Sequence, residues 1–300
     1  MDFAALQVFK AVADEGGISP AARKLHRVQS NVTTRIQQLE ASLGTKLFVR
    51  AKHRLHLAPA GEVFLHYAEQ MLHLAEAARH AVLGDQPRGV LRVGTLESTA
   101  ASRLPPLLAR YHGKYPAVRV ELTTGTTDSL VEAVLGRRLE AAFAADCRAA
   151  APLAALPAFD EELVLIAPRA HPAIRRARDV RADTMIVFPG GCAYRRRLQT
   201  WLADDGVVLH RFLELGSYHA IVACVASGAG IALVPRSVLQ TVRRREGLSV
   251  HRLRVALARS TTSLVWRTGE ASPPLQALQA EIAKPGTARR PRGRRTLALP

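Results

Sequence analysis

The segment "SPAARKLHRVQSNVTTRIQQLEASLGTKLF", residues 19–48, decides the fold of the N-terminal region because it predicts two short amphipathic helices joined by a tight turn. Ser19 and Pro20 form a helix start signal, since a serine hydroxyl caps a helix and the fixed φ of proline suits its first turn. A second start is predicted at Ser30, and Gly44 predicts the end of that helix. The apolar residues of the second helix recur as one buried stripe: Val32, Ile36, Leu39 and Leu43.

Polar side chains cover the helix face opposite that stripe. These side chains can form hydrogen bonds, are of moderate length, and none of them is acidic. They belong to Asn31, Thr34, Arg35 and Gln38, with Gln29 and Ser30 at the helix tip. Such groups suit the phosphate oxygens and base edges of DNA. The alternative interpretation is a helix face that simply contacts water.

The flanking segments complete a small domain. Upstream, apolar residues at helical spacing predict a first helix that ends at Gly16 and Gly17: Phe3, Leu6, Phe9, Val12 and Ala13. Downstream, two short apolar runs at residues 47–49 and 55–57 flank a basic tip that contains His53 and Arg54, which is the pattern of a β-hairpin wing. Together these segments predict a winged helix-turn-helix.

This region resembles the LysR family of transcriptional regulators, and the resemblance extends over nearly the whole chain. The paired alanines Ala21 and Ala22 are followed by the family spacing V-x-x-x-I-x-x-L-E-x-x-L-G and then L-F, carried by these residues: Val32, Ile36, Leu39, Glu40, Leu43, Gly44, Leu47 and Phe48. The resemblance implies that Gln29, Ser30, Thr33 and Thr34 meet DNA, together with His53 and Arg54 of the wing. Thr34 and His53 stand where the family commonly has arginine.

The resemblance also implies the partners of the protein. It implies double-stranded promoter DNA, a small-molecule effector and self-assembly into a dimer, with two dimers forming a tetramer. RNA polymerase is a further candidate partner. No cofactor and no metal ion are expected.

Composition agrees with a regulator of two main domains. A chain of 300 residues predicts about two domains, and 48% hydrophobic residues suffice for their cores. We expect no membrane span, no signal peptide and a cytoplasmic location, because the chain has neither an apolar run of sufficient length nor a basic start followed by an apolar segment. The net charge of +17 permits nucleic-acid binding. Residues 1–88 nevertheless carry only 11 basic against 8 acidic side chains, so the DNA prediction rests on the motif.

An enzyme and a free-standing solute-binding protein are the alternative classes. The sequence contains no G-x-S-x-G, H-E-x-x-H or G-x-x-x-x-G-K motif, which argues against an enzyme. Ser217 lies near His219, but this pair gives only weak support for a catalytic site. A solute-binding protein would need export and would have no use for a winged helix. The cysteines Cys147, Cys192 and Cys224 lack C-x-x-C spacing, which argues against zinc. A redox switch formed by Cys192 and Cys224 is kept as an alternative interpretation.

Residues 59–83 predict one long helix. Its apolar residues alternate by four and three as in a heptad seam, which predicts dimerisation through these side chains: Phe64, Ala68, Met71, Ala75, Ala78 and Val82. His66, His73 and His80 recur every seven residues, which places them about 10 Å apart and too far to share one metal ion. The linker "GDQPRG" follows at residues 84–89.

From residue 90 onward strands and helices alternate, which predicts an α/β fold. Two such halves joined by crossing strands resemble the periplasmic-binding-protein-like effector domain of the family. The predicted fold is thus an N-terminal winged helix-turn-helix (1–58), a linker and dimerisation helix with hinge (59–89), and a two-lobed α/β effector domain (90–284). The tail, residues 285–300, is predicted to be disordered. We interpret it as an Arg-rich segment that packs on neither domain, and a basic arm that binds DNA is the alternative.

Ligands of such folds bind at the carboxyl ends of strands, against helix N-termini. The loops at those positions carry these candidate effector-binding residues: Glu97, Ser98, Thr99, Gly125, Thr126, Cys192, Tyr194, Arg195, Ser217, Tyr218 and His219. Glu97 would suit an amine and Arg195 a carboxylate, so an amine or an amino-acid-like metabolite is predicted, with a carboxylate metabolite as the alternative. Helix capping and surface salt bridges are the structural alternatives for the same residues.

Overall fold

The computed structural model describes residues 1–51, 54–83, 86–242 and 246–284, and it divides the chain into two compact units, residues 1–85 and residues 86 onward. The first unit contains the helices α1 (Phe3–Glu15), α2 (Ile18–Lys24) and α3 (Gln29–Leu43), the hairpin strands β1 (Phe48–Ala51) and β2 (Arg54–Leu57), and the long helix α4 (Pro59–Leu83). This order is that of a winged helix-turn-helix followed by a linker helix, as predicted.

Local signals explain most of these boundaries. The Asp2 side chain accepts a hydrogen bond from the Ala5 N–H at 2.7 Å and so caps α1. Gly16 and Gly44 end α1 and α3 with φ of 65° and 66°, a left-handed conformation that glycine adopts at little cost.

The two predicted serine caps are corrected by the structure. Helix α2 begins at Ile18 after Gly17, and α3 begins at Gln29 after Val28, so Ser19 and Ser30 lie within first turns. The chain enters α3 early because the Val28 carbonyl already accepts hydrogen bonds from the Asn31 and Val32 N–H groups. The Ser19 hydroxyl instead donates to Gln29 Oε1 at 3.1 Å, which links α2 to the tip of α3.

The first half of α4 belongs to the core of its own unit. The Phe64 ring lies 5.0 Å from the Phe9 ring, Ala68 is fully buried, and Met71 packs against the same cluster. Three members of the predicted dimer seam therefore pack into the core of their own unit. Ala75 is half-buried and Ala78 is exposed, whereas the side chain of Val82 lies outside the described residues.

The exposed apolar residues of α4 follow a different stripe. Val63, Tyr67 and Leu74 are 62%, 56% and 65% exposed, and their spacing of four and seven places them on one side of the helix.

The second unit is built on a mixed sheet with strand order β10-β6-β11-β5-β3-β4, in which β9 also pairs with β6. Its strands are β3 (Gly89–Thr95), β4 (Val118–Thr124), β5 (Ala141–Ala145), β6 (Leu153–Pro168), β9 (Ala232–Pro235), β10 (Leu248–Arg252) and β11 (Arg259–Arg267). A separate parallel pair is formed by β7 (Thr184–Val187) and β8 (Arg211–Glu214). The helices are α5 (Glu97–Ser102), α6 (Leu104–Lys114), α7 (Thr127–Leu135), α8 (Ala193–Asp204), α9 (Tyr218–Ala226), α10 (Arg236–Thr241), α11 (Val255–Ala258) and α12 (Pro273–Ala283).

Strand β6 joins two lobes. Its first half pairs with β11 beside β3, β4 and β5, which with α5, α6 and α7 form the first lobe. Its second half pairs with β9 and β10, which with β7, β8, α8 and α9 form the second lobe. The predicted two-lobed α/β fold is therefore confirmed. Within the residues described, no helix combines the length and apolar character needed to cross a membrane.

Candidate DNA-binding surface and ligand pocket

The exposed face of α3 carries the predicted polar side chains. Ser30, Thr34 and Gln38 are exposed on the side opposite Val32, Ile36 and Leu39, which are buried, and Gln29 and Asn31 are exposed at the helix tip. Thr33 is half-buried at the flank, where its hydroxyl donates to the Gln29 carbonyl at 3.0 Å. Gln37, which was not among the predicted DNA contacts, also lies on the exposed face.

Arg35 differs from the other predicted DNA contacts. Its Nη1 lies 2.9 Å from Asp2 Oδ2, so the guanidinium links α3 to the N-terminus of α1. The pKa of Asp2 is lowered by the Ala5 N–H and by Arg35. The guanidinium is thus engaged within the fold, at the flank of the exposed face.

The wing is fixed to α3 by a buried carboxylate. Glu40 is 7% exposed; its Oε1 accepts from the N–H groups of Leu47 and Phe48 at 2.9 and 3.3 Å, and its Oε2 accepts from Lys46 Nζ at 2.7 Å. Burial would raise the pKa of Glu40, but these hydrogen bonds outweigh it and lower the pKa. Strand β1 begins at Phe48, so Glu40 sets the start of the hairpin.

The tip of the wing bears two predicted DNA contacts. His53 lies outside the described residues, and so does the side chain of Arg54. The strands that carry this tip pair in antiparallel register, with Phe48 opposite Leu57 and Ala51 opposite Arg54.

The ligand pocket of the second unit lies where loops of both lobes meet. It lies at the N-termini of α5, α7, α8 and α9. Its walls are formed by Leu96, Glu97, Ser98, Gly125, Thr126, Thr127, Ala145, Phe188, Cys192, Ala193, Tyr194 and Tyr218.

The structure brings most of the predicted effector-binding residues together here. Glu97, Ser98, Gly125, Thr126, Cys192, Tyr194 and Tyr218 line the pocket. Thr99 is buried one position further into α5, Ser217 precedes α9, and His219 points to solvent. Arg195 lines a neighbouring pocket that shares Phe188, Cys192, Tyr194 and Tyr218 with this one.

Phe188 was missed as a lining residue. It follows β7, and its ring lies 4.6 Å from that of Tyr218. Its position at the carboxyl end of a strand was the available signal, because ligands of this fold bind at that edge.

Glu97 is the acid of the pocket. Its Oε1 accepts a hydrogen bond from the Tyr218 N–H at 3.3 Å, which links α5 of the first lobe to the N-terminus of α9 in the second. Burial raises the pKa of Glu97, and the Tyr218 N–H and His219 oppose that rise.

Arg195 is engaged away from the pocket. Its Nη1 lies 2.6 Å from Glu214 Oε1 and 3.2 Å from the Phe188 carbonyl, and its guanidinium covers the Phe212 ring at 5.3 Å. The predicted carboxylate partner is thus already paired. Among the residues that the structure describes, those lining the pocket include one acid and no base.

Three contacts hold the two lobes together beside the pocket. Asp128 of α7 pairs with Arg196 at 2.6 Å, and its N–H donates to the Gly191 carbonyl at 3.2 Å. Asp146, after β5, pairs with Arg197 of α8 at 2.7 Å. The lobes are therefore closed around the cavity.

The cysteines are free thiols in the described part of the chain. Burial raises the pKa of the Cys192 thiol and also that of Cys147, which disfavours the reactive thiolate. Nowhere in the described ranges do three His, Cys, Asp or Glu side chains gather in a group that could hold a metal ion.

Comparisons with known proteins agree with this architecture. Residues 3–62 match the model of the bacterial regulatory helix-turn-helix proteins of the lysR family, and residues 84–284 match the LysR substrate binding domain. The chain is 42% identical over 253 residues to the HTH-type transcriptional regulator GltR of Bacillus subtilis, an alignment that covers 84% of this chain and 85% of that protein.

Two solved structures are similar over nearly the full length. A full-length OxyR variant from Pseudomonas aeruginosa aligns with a TM-score of 0.73 and 22% identity, covering 96% of this chain and 97% of that one, and shows the shared fold. Full-length CbnR in complex with its target DNA aligns with a TM-score of 0.68 and 27% identity, covering 94% and 99%. The winged helix-turn-helix, the two-lobed α/β unit and these matches together show that the chain belongs to the LysR family of DNA-binding transcriptional regulators, which are not enzymes.

Proposed function

We propose that this regulator reads promoter DNA with the exposed face of α3 and that a small molecule in the pocket of the second unit modulates that binding. The observation that carries the DNA proposal is the exposed row Ser30, Thr34 and Gln38 on a helix whose opposite face is buried. Gln29 and Asn31 at the tip extend the row. Neutral hydrogen-bonding side chains of this kind discriminate base edges, whereas the cationic Arg54 of the wing would contact phosphate.

Dimerisation is proposed through α4. Because Phe64, Ala68 and Met71 pack within their own unit, the stripe of Val63, Tyr67 and Leu74 supports the contact better than the predicted seam. Exposed apolar residues in a stripe along a long helix are typical of a partner helix. A tetramer of two such dimers and a contact with RNA polymerase belong to the same proposal, as does action in the cytoplasm, where promoter DNA is read.

The effector is proposed to bind between the lobes. The pocket supports an amine or amino-acid-like metabolite, because Glu97 lines it whereas Arg195 is paired with Glu214. Oxidation of Cys192 finds less support because its thiol is buried and its pKa is raised.

Fluorescence anisotropy with the DNA upstream of the gene tests the readout. Gln29→Ala should weaken binding to that DNA by about tenfold and binding to random DNA much less, since a bidentate base contact discriminates by about 1–3 kcal/mol. Gln7→Ala, an exposed glutamine of α1 in the same unit, is the matched control and should bind both DNAs as the wild type does. Equal losses on both DNAs for Gln29→Ala would contradict the assignment.

A further inference from the structure

Three polar atoms of residues that line the pocket have no hydrogen-bond partner within the described residues. They are Glu97 Oε2, Thr127 Oγ1 and Tyr194 Oη, and all three are sealed from solvent. Thr127 is 4% exposed, at the first position of α7. Buried polar atoms in native proteins are nearly always paired, because leaving one unsatisfied costs about 1–3 kcal/mol. Three such atoms around one pocket indicate that a ligand supplies partners there.

The chemistry of Glu97 decides what that ligand must bring. An ionised carboxylate only accepts hydrogen bonds. Its Oε1 already accepts from the Tyr218 N–H at the N-terminus of α9, which favours the charged form. The free Oε2 therefore calls for a donor. Arg195 of α8 is engaged with Glu214 instead, and His219, which acts on Glu97 electrostatically, makes no hydrogen bond to Oε2.

The walls of the pocket define the rest of the ligand. Phe188 and Tyr218 place two aromatic rings 4.6 Å apart beside Glu97, and Leu96, Ala145 and Ala193 add apolar surface. Aromatic faces attract organic cations, and the attraction grows when water is excluded. With twelve lining residues, the pocket suits a small molecule.

We propose that the pocket binds a small organic ammonium ion with an apolar body, held by Glu97 Oε2 and packed against Phe188 and Tyr218. The Thr127 hydroxyl is the second polar contact. This inference rests on the proposed role of the pocket as the effector site, and it selects amines over carboxylates. Glu97 joins α5 of one lobe to α9 of the other, so a cation on its free oxygen adds a contact at the closed interface.

Thermal unfolding of the full-length protein with three probes of equal size tests this proposal. Benzylamine is a cation, benzyl alcohol is neutral and benzoate is an anion at pH 7.5, and each is added at equal ionic strength. Benzylamine should raise the melting temperature, because a ligand specific to the folded state stabilises it by mass action, and the other two should raise it less. A larger rise with benzoate, or no rise with any probe, would overturn the proposal.

Two variants test whether Glu97 and Thr127 are the residues that bind benzylamine. Glu97→Gln should weaken benzylamine binding at least tenfold in calorimetric titration, and Thr127→Val should weaken it less. Glu132→Gln is the matched control, since this exposed acid of α7 does not line the pocket; it should keep the benzylamine response. An unchanged benzylamine affinity in Glu97→Gln would overturn the assignment even if the probe stabilises the wild type.

Operator binding measured without any probe separates this inference from the proposed function. Glu132→Gln, which changes an exposed acid of α7 outside the pocket, should bind operator DNA as the wild type does. Failure of the wild type itself to bind operator DNA would overturn the DNA readout, whereas failure of the benzylamine tests alone would overturn only the ligand class.

Discussion

Replacing Glu40 tests how the wing is attached to the recognition helix. In Glu40→Ala the N–H groups of Leu47 and Phe48 lose their acceptor, and Leu47 is buried. Leaving a buried donor unsatisfied costs about 1–3 kcal/mol, so we expect the first unit to lose about 3 kcal/mol in unfolding free energy. The Lys46 ion pair adds at most about 1 kcal/mol, since Lys46 is 76% exposed.

The matched variant Glu40→Gln separates these contributions. The amide oxygen of glutamine can still accept from the two backbone N–H groups, so only the Lys46 pair is lost and a cost of about 1 kcal/mol is expected. The folded-state pKa of Glu40 is lowered, so the stabilisation by its charge is present above the unfolded-state pKa of about 4.3 and is lost as pH falls through the folded-state pKa. The difference between wild type and Glu40→Gln should therefore shrink below about pH 4.

Urea denaturation can assign the loss to one unit. Both tryptophans, Trp201 and Trp266, lie in the second unit, so their fluorescence follows that unit, whereas circular dichroism at 222 nm also follows the helices of the first. Glu40→Ala should shift the dichroism transition and leave the tryptophan transition in place. An unshifted dichroism curve, or a shift confined to tryptophan fluorescence, would refute the role given to Glu40.

Three further predictions concern assembly, lobe closure and the second lobe. Leu74→Glu should dissociate the dimer in size-exclusion chromatography with light scattering, while Arg79→Glu on the opposite side of α4 should not; an unchanged mass for Leu74→Glu would exclude the stripe. Gly191→Ala should abolish the benzylamine-induced rise in melting temperature, because φ at Gly191 is 84° and an added Cβ would lie 2.8 Å from Thr126 Oγ1. The control Gly190→Ala should keep that rise, since a Cβ at Gly190 meets open space. Equal responses of the two variants would show that the lobes tolerate the change at Gly191. Arg195→Ala should lower the unfolding free energy of the second unit, followed by tryptophan fluorescence, by about 1–2 kcal/mol. Arg196→Ala removes an exposed ion pair and should lower it by under about 0.5 kcal/mol. The reverse order would contradict the contacts assigned to Arg195.

Local patterns predicted the elements well where apolar periodicity and stop signals agree. Helix α4, for example, covers the predicted residues 59–83. The serine caps were wrong because helix starts also depend on backbone geometry: the Val28 carbonyl begins α3 before Ser30 is reached.

Contacts between distant segments set the limits of the sequence predictions. The heptad pattern of α4 identified apolar residues, but only the packing of Phe64 on Phe9 shows that part of that pattern serves the internal core. In the pocket, loop position brought Glu97 and Tyr218 together correctly. The engagement of Arg195 depends on Glu214, which lies on another strand, and no local pattern encodes that pair.

Operator binding by a charged variant of α3 tests the central claim most directly. Thr34→Glu places a negative charge in the middle of the exposed face, where it would meet the phosphates and base edges of DNA without disturbing the buried stripe. Gln7→Glu adds the same charge to the exposed side of α1 in the same unit. In fluorescence anisotropy, Thr34→Glu should lose detectable operator binding while Gln7→Glu binds within about threefold of the wild type. Wild-type affinity in Thr34→Glu, with its fold intact, would contradict DNA recognition by this face.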